Sequence, residues 1–203
     1  MDAHDLDELA RRAARLQHEG RVASTQDAIR AVGGGPALSA AQVRRHLAAM
    51  TDAEFGQSEA NAMRARMFDP VIEIMHAVND HLERFTDRYL TARGTRLAGR
   101  AAGGSLDGDP IMHLRVLADI SDAELAQVVV DAGAREPAFE TVKSRHGRLQ
   151  KIRTDHGGIF LHLLICPPGQ VPGDQSQDLV RGHGVALLDV DGVMALRASL
   201  AGE

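Results

Sequence analysis

The chain has 203 residues, a formal net charge of −5, a single cysteine and few aromatic residues. A single cysteine excludes an intrachain disulfide framework and is typical of a reducing cytoplasm, and so few aromatic rings argue against a stacking platform for single-stranded nucleic acid. The longest apolar run, residues 159–166, is too short to cross a bilayer, and the acidic start at Asp2 and Asp5 is unlike a signal peptide. We therefore expect a cytoplasmic protein that does not contact a membrane.

The first fifty residues are predicted to form a domain of three short helices joined by two tight connections. Apolar residues recur at helical spacing in the first helix, which ends at Gly20. A second helix begins near Thr25, and a third begins at Ser39, where Ser39-Ala40-Ala41-Gln42 is a capping box. Many proteins place a helix in the DNA major groove through such a helix-turn-helix, although any small three-helix bundle has the same periodicity.

Three polar side chains of the third helix are candidates for contacts with DNA. The helical spacing turns Val43 and Leu47 inward, and the opposite face carries Gln42, Arg44 and Arg45. Arginine and glutamine have the donor geometry that base edges require. The alternative interpretation is an ordinary helix face with solvated arginines.

Several short motifs lie between Glu8 and Met50. They are Leu16-Gln17-His18-Glu19-Gly20, then Thr25, then Ala28-Ile29-Arg30, and the run from Ser39 to Leu47 with its Arg45-His46-Leu47 segment. With these motifs the segment resembles the N-terminal DNA-binding domain of the plasmid-encoded KfrA family. The resemblance implies a DNA-binding regulator whose remaining chain is helical and prone to form coiled coils.

Residues 51–100 are predicted to form a central helical segment. Thr51-Asp52-Ala53-Glu54 is a second capping box, and from Phe68 onward apolar residues recur in steps of three and four over about three heptads. The candidate dimerisation residues are Val71, Met75, Val78, Leu82, Phe85 and Tyr89. A homodimer suits a two-fold DNA site, and the alternative is packing of this helix within its own chain.

A glycine-rich linker over residues 101–109 is predicted to lead into a C-terminal domain, residues 110–203. A capping box at Ser121 opens a helix that ends near Gly133, and the basic segment that follows is predicted to be helical as well. With Glu124-Leu125-Ala126 followed by Thr141-Val142-Lys143-Ser144-Arg145, residues 121–153 show a weaker resemblance to the recognition segments of sigma factors and winged-helix regulators. The candidate phosphate-binding residues are Lys143, Arg145, Arg148 and Lys151. The alternative is an amphipathic helix with its basic face in water.

The end of the chain is predicted to contain about three strands. Residues 159–166 are typical of a buried strand, and residues 185–190 and 193–196 flank a hairpin signal at Asp191-Gly192. The expected fold class is therefore mainly α, with an N-terminal helix-turn-helix, a long central helix and a small α+β C-terminal region.

The sequence offers little support for catalysis. The candidate metal ligands, which lack the spacing of zinc sites, are His146, His156, His162, Cys166 and His183. We expect no catalytic residues, no metal and no cofactor. The expected function is that of a DNA-binding regulator, or an accessory protein of the plasmid or phage type, that binds double-stranded DNA as a homodimer. The alternatives are a protein-interaction or adaptor module that does not bind DNA, and a small enzyme that uses the C-terminal histidines.

Overall fold

The structure, a computed structural model, describes residues 3–84, 94–107, 111–172 and 176–202. The helices in these ranges are α1 (Ala3–His18), α2 (Thr25–Ala31), α3 (Ala40–Phe55), α4 (Gln57–Arg66), α5 (Asp69–Arg84), α6 (Asp122–Asp131) and α7 (Val190–Ala201). The strands are β1 (Thr95–Ala98), β2 (Ile111–Val116), β3 (Arg135–Ser144), β4 (Gly147–His156), β5 (Ile159–Ile165) and β6 (Leu187–Leu188). No helix in the described ranges has both the length and the apolar character needed to cross a membrane.

The chain divides into two compact units. The helical unit comprises Met1–Arg64 with Leu106–Pro110, and the α+β unit comprises Ala65–Ser105 with Ile111–Glu203. In the helical unit, α1 packs against α2 and α3, and the helices share one apolar core. The buried residues of this core are Ala10, Ala13, Ala14, Ala28, Ile29, Leu38, Val43 and Leu47.

The ends of α3 show one correct and one wrong prediction. The Ser39 hydroxyl accepts from the backbone N–H of Gln42, and the Gln42 side chain accepts from the backbone N–H of Ser39, so the predicted capping box is confirmed. The predicted new start at Thr51 is wrong, because α3 continues to Phe55. Inside the helix the Thr51 hydroxyl donates instead to the carbonyl of Leu47, 3.1 Å away.

Arg64 links α3 and α4 to the segment at residues 106–107 in the helical unit. Its guanidinium lies 2.9 Å from the carboxylate of Asp52 and 3.0 Å from that of Asp107, and its side chain is only 12% exposed. It also donates to Asn61 at 3.0 Å. This one cation therefore joins α3, α4 and the returning segment at residues 106–107.

We expect Arg64→Met to destabilise the helical unit by about 2 kcal/mol, because the apolar stem is kept while two partly buried carboxylates lose their partner. Urea unfolding of the full chain measures the change. Arg66→Met is the matched control, since Arg66 lies on the same helix and is exposed. A loss no larger than that of Arg66→Met contradicts the structural role of Arg64.

The α+β unit is built on a six-stranded mixed sheet with the order β3-β4-β5-β2-β1-β6. Strands β2 and β5 run parallel, and the other neighbouring pairs are antiparallel. Four fully buried side chains lie in register across one face of the sheet: Leu97, Leu114, Leu163 and Ile152. Two side chains inside α5 bind to the sheet: Asn79 accepts from the backbone N–H of Thr95 at 2.8 Å, and Glu73 pairs with His156 at 2.7 Å.

The predicted fold class is wrong. The described residues are 49% helical and 22% strand, and the six-stranded mixed sheet makes the protein an α+β fold rather than a mainly α one. The basic segment predicted as a helix is the hairpin of β3 and β4. The predicted strand at residues 193–196 lies inside α7, whereas the predicted buried strand at residues 159–166 is confirmed as β5.

Candidate nucleic-acid interface

Helix α3 presents the predicted DNA-reading side chains to different degrees. Arg45 is the most accessible, with 70% of its side chain exposed, and Arg44 is half-buried. Gln42 is occupied in the capping box, where its Oε1 accepts from the backbone N–H and the hydroxyl of Ser39 at 3.0 and 2.9 Å. A bidentate contact with adenine needs both ends of that carboxamide. The structure therefore gives Gln42 a role in fixing the start of α3, and leaves Arg45 as the side chain best placed for a base edge.

Asp7 of α1 brings the arginines of two helices onto one surface. Its carboxylate lies 3.3 Å from Arg11 and 3.8 Å from Arg45, and its Oδ1 is 2.9 Å from Nε2 of His46. The hydrogen bond from His46 lowers the pKa of Asp7, and the positive charges of Arg11 and Arg45 add to the effect. Asp7 thus stays ionised and holds Arg45 of α3 beside Arg11 of α1.

The same surface continues along α1. Arg11, Arg12 and Arg15 are exposed and line a shallow recess of about 230 Å³ together with His4 and Glu8. Arginines of α1 and of α3 therefore form one basic surface, with Asp7 and Glu8 as its acidic members. Exposed arginines of this kind are suited to phosphate oxygens. The α1 arginines were not among the residues predicted from the sequence, although their spacing of one and four residues places them close together on a helix surface.

The connection between α2 and α3 is longer than in a standard helix-turn-helix, since it runs over residues 32–39. It is nevertheless well packed. Leu38 is 4% exposed, and a Cβ atom at Gly34 would lie 2.6 Å from Leu38 and 3.0 Å from the carbonyl oxygen of Ile29. A side chain at this position would therefore displace Leu38, so the connection between α2 and α3 is closely packed at Gly34.

The four basic residues predicted to bind phosphates are dispersed over the β3–β4 hairpin. Lys143 and Arg148 are cross-strand neighbours near its tip, and Arg145 lies in the turn, where its backbone N–H donates to Leu179 at 2.8 Å. Lys151 instead pairs with Glu140 at 2.5 Å. The structure brings Lys143 and Arg148 together and keeps Lys151 in a separate cluster, and contact of any of them with phosphate stays a prediction.

The predicted dimerisation residues of α5 lie inside the α+β unit. Val71, Met75 and Val78 are 0% exposed and Leu82 is 1% exposed, which is the packing within one chain that the sequence left open as an alternative. Phe85 and Tyr89 lie outside the described residues. Pairing of two chains through this seam stays a prediction.

The described part of the chain contains no cluster of three or more histidine, cysteine, aspartate or glutamate side chains placed to hold a metal ion. Burial raises the pKa of the Cys166 thiol to about 12, so this thiol is protonated and unreactive at neutral pH. Comparisons with protein-family models, curated proteins and solved structures found no match to the chain. Function must therefore be inferred from the geometry of the molecule itself.

Proposed function

We propose that the protein is a DNA-binding regulator whose helical unit contacts double-stranded DNA through α3 and α1. The observation that carries the proposal is the basic surface on which Asp7 holds Arg45 of α3 beside Arg11 of α1. In this arrangement Arg45 enters the major groove, and the exposed arginines of α1 contact the flanking phosphates. The resemblance of residues 8–50 to the KfrA family supports the same function.

Salt dependence tests this proposal directly. About four phosphate contacts predict that affinity for a random-sequence duplex falls about a hundredfold between roughly 50 and 200 mM salt. Fluorescence polarisation with a labelled duplex measures both affinities. Absence of binding at the lower salt concentration rules out the proposal and favours the adaptor module instead.

We expect Arg45→Ala to weaken binding to the preferred DNA site by roughly 1–3 kcal/mol and to relax specificity at one base pair. Selection of preferred sites from a random duplex library, followed by titration, measures both effects. Arg181→Ala is the matched control, since it removes the same charge from an exposed loop of the α+β unit. Unchanged affinity and specificity in Arg45→Ala remove α3 from the interface.

Asp7→Asn tests the proposal through an expected increase in DNA affinity. This substitution removes the one carboxylate that both arginines share, so we expect tighter binding to DNA of any sequence and a steeper loss of affinity with salt. The same polarisation titration measures the effect. An unchanged affinity and an unchanged salt dependence in a folded Asp7→Asn variant show that the basic surface does not face the phosphates.

A further inference from the structure

The sheet of the α+β unit carries a polar surface on the face opposite the buried leucine row. His113 of β2 and His162 of β5 are register partners on neighbouring parallel strands, and Arg153 of β4 is the next partner of His162. Two residues further along these strands, and therefore on the same face, Leu164 lies between its register partners Arg115 and Lys151. Two histidines and three cations thus occupy two neighbouring rows of one sheet face, far apart in sequence and brought together by strand pairing.

The two imidazoles contact each other and have unused hydrogen-bonding atoms. Their ring centroids are 5.1 Å apart in an edge-to-face arrangement, and neither ring forms a hydrogen bond with the described part of the chain. Burial among protein atoms lowers the pKa of His162 to about 4, with contributions from His113 and Lys151. Burial, and then Lys151 and Arg100, also lower the pKa of His113. Both rings are therefore neutral at pH 7, and each offers one N–H donor.

A loop forms the wall above these rings. Arg115 donates to the carbonyl of Gln177 at 2.6 Å, and Leu179 is 4% exposed in a cluster with Leu149 and Cys166. The Asp178 carboxylate accepts from the backbone N–H of Val180 at 2.9 Å, which fixes the turn of the loop. The wall is therefore held in place by hydrogen bonds and by an apolar anchor.

The sheet face that carries His113 and His162 forms the floor of a cleft, and the loop forms its wall. The cleft has a volume of about 270 Å³, near the small end of the range for ligand sites. Its apolar lining includes Val142, Leu164, Val180 and Val185. The polar lining consists of His113, Arg115, Lys151, His162 and Asp178. An apolar cleft with a few convergent polar groups is the usual form of a small-molecule site.

The charges around the cleft select the class of ligand. Of the charged side chains that line the cleft, Arg115 and Lys151 are cationic and Asp178 is anionic. Outside this lining, Glu140 lies 2.5 Å from Lys151 and 2.6 Å from Arg153. The lining therefore carries one positive charge in excess, which matches a single carboxylate and not a dianion. The neutral imidazoles supply donors to such a group without adding charge.

We propose that this cleft binds a small monocarboxylic acid, with its carboxylate on His113, His162 and Lys151 and its apolar body against Val142, Val180 and Val185. The site is independent of DNA binding, because its residues all belong to the α+β unit. A failure of the DNA experiments therefore leaves it standing, and its own failure leaves the helical unit unaffected.

The test uses benzoate and hexanoate as probes and the neutral benzamide and hexanamide as controls. NMR spectra of the histidine rings, assigned with His113→Gln and His162→Gln, report binding to the full chain. We expect saturable shifts of His113 and His162 with at least one acid, no shift of His18 in the helical unit, and at least about tenfold weaker binding of the matching amide. The proposal is overturned if neither acid shifts the two rings, if the amides bind as tightly, or if the dianion phthalate binds more tightly.

Two pairs of variants locate the site. Lys151→Met is expected to weaken binding of the acid about tenfold or more, whereas Lys143→Met on the same hairpin leaves it unchanged. Val180→Glu places a carboxylate at a position that is 54% exposed, so folding is retained and the acid is repelled; Val130→Glu, 41% exposed on α6, is its control. Equal effects within both pairs contradict a site in this cleft.

Discussion

Replacing Val78 by aspartate is expected to unfold the α+β unit, with a loss of more than about 4 kcal/mol of stability. Val78 lies in the middle of α5 and is 0% exposed within a single chain. A carboxylate at this position has no partner and cannot reach water, which is among the most destabilising changes that a single residue makes. Urea unfolding followed by circular dichroism, together with limited proteolysis, measures the effect.

The same variant separates the two interpretations of α5. If the seam joined two chains, Val78→Asp would give a monomer that remains folded; if the seam is core, it gives an unfolded unit. Val130→Asp is the matched control, because Val130 is 41% exposed on α6. Sedimentation of both variants decides the question, and a folded, monomeric Val78→Asp protein derived from a wild-type dimer contradicts our expectation.

The helices that could be predicted are those whose sequence shows both apolar residues at helical spacing and a capping residue at the start. Ser39 and Ser121 each accept from the backbone N–H three residues later, as the sequence indicates. Thr51 has the same local pattern but does not begin a helix. It lies inside α3, where its hydroxyl donates to the carbonyl of Leu47 one turn back. A capping motif therefore predicts a possible start, and the packing of the surrounding helix decides whether it is used.

The β3–β4 hairpin was mistaken for a helix because its apolar spacing fits both structures. Val142, Leu149 and Ile152 recur in steps of seven and three, which suits a helix. In the structure Val142 and Leu149 are register partners across the turn, and Ile152 is paired with β5. Cross-strand pairing of this kind joins separate segments, so the apolar period of one segment does not reveal it.

The last helix shows how one local motif serves two structures. Asp191-Gly192 is a strong hairpin signal between apolar runs. In the structure Asp189 accepts from the backbone N–H of Gly192 at 3.0 Å and caps α7, so the same residues begin a helix.

The residues of a candidate site could be predicted where they lie close together in the sequence, and not where packing or strand pairing brings them together. Arg45 could be identified from one helix, since opposite faces follow directly from the 3.6-residue period. Its neighbour Arg11 required knowledge that α1 packs against α3. The cleft was out of reach, because His113 and His162 meet only through the parallel pairing of β2 with β5.

The stability of the α+β unit is expected to fall by about 2 to 3 kcal/mol between about pH 7 and pH 4.5 because of His162 alone. The folded unit lowers the pKa of this imidazole from 6.5 to about 4, mainly through burial. Below pH 6.5 the unfolded chain therefore takes up a proton that the folded chain refuses, so stability is present at neutral pH and is lost as the pH falls. His113 acts in the same direction, since its pKa is lowered as well.

Urea unfolding at the two pH values, followed by the methyl signals of the buried Leu161 and Leu163, measures this loss in the α+β unit. His162→Gln cannot titrate and should lose about 2 kcal/mol less than the wild type, whereas His18→Gln in the helical unit serves as the control. The pH window separates imidazoles from most of the carboxylate effect: the hydrogen bond from Lys151 lowers the pKa of Glu140, so its contribution to stability is lost mainly below the ordinary pKa of 4.5. If His162→Gln loses as much stability as the wild type and the His18→Gln control, His162 is not held neutral in the folded unit. The floor of the cleft then carries a different charge from the one that favours a monocarboxylate.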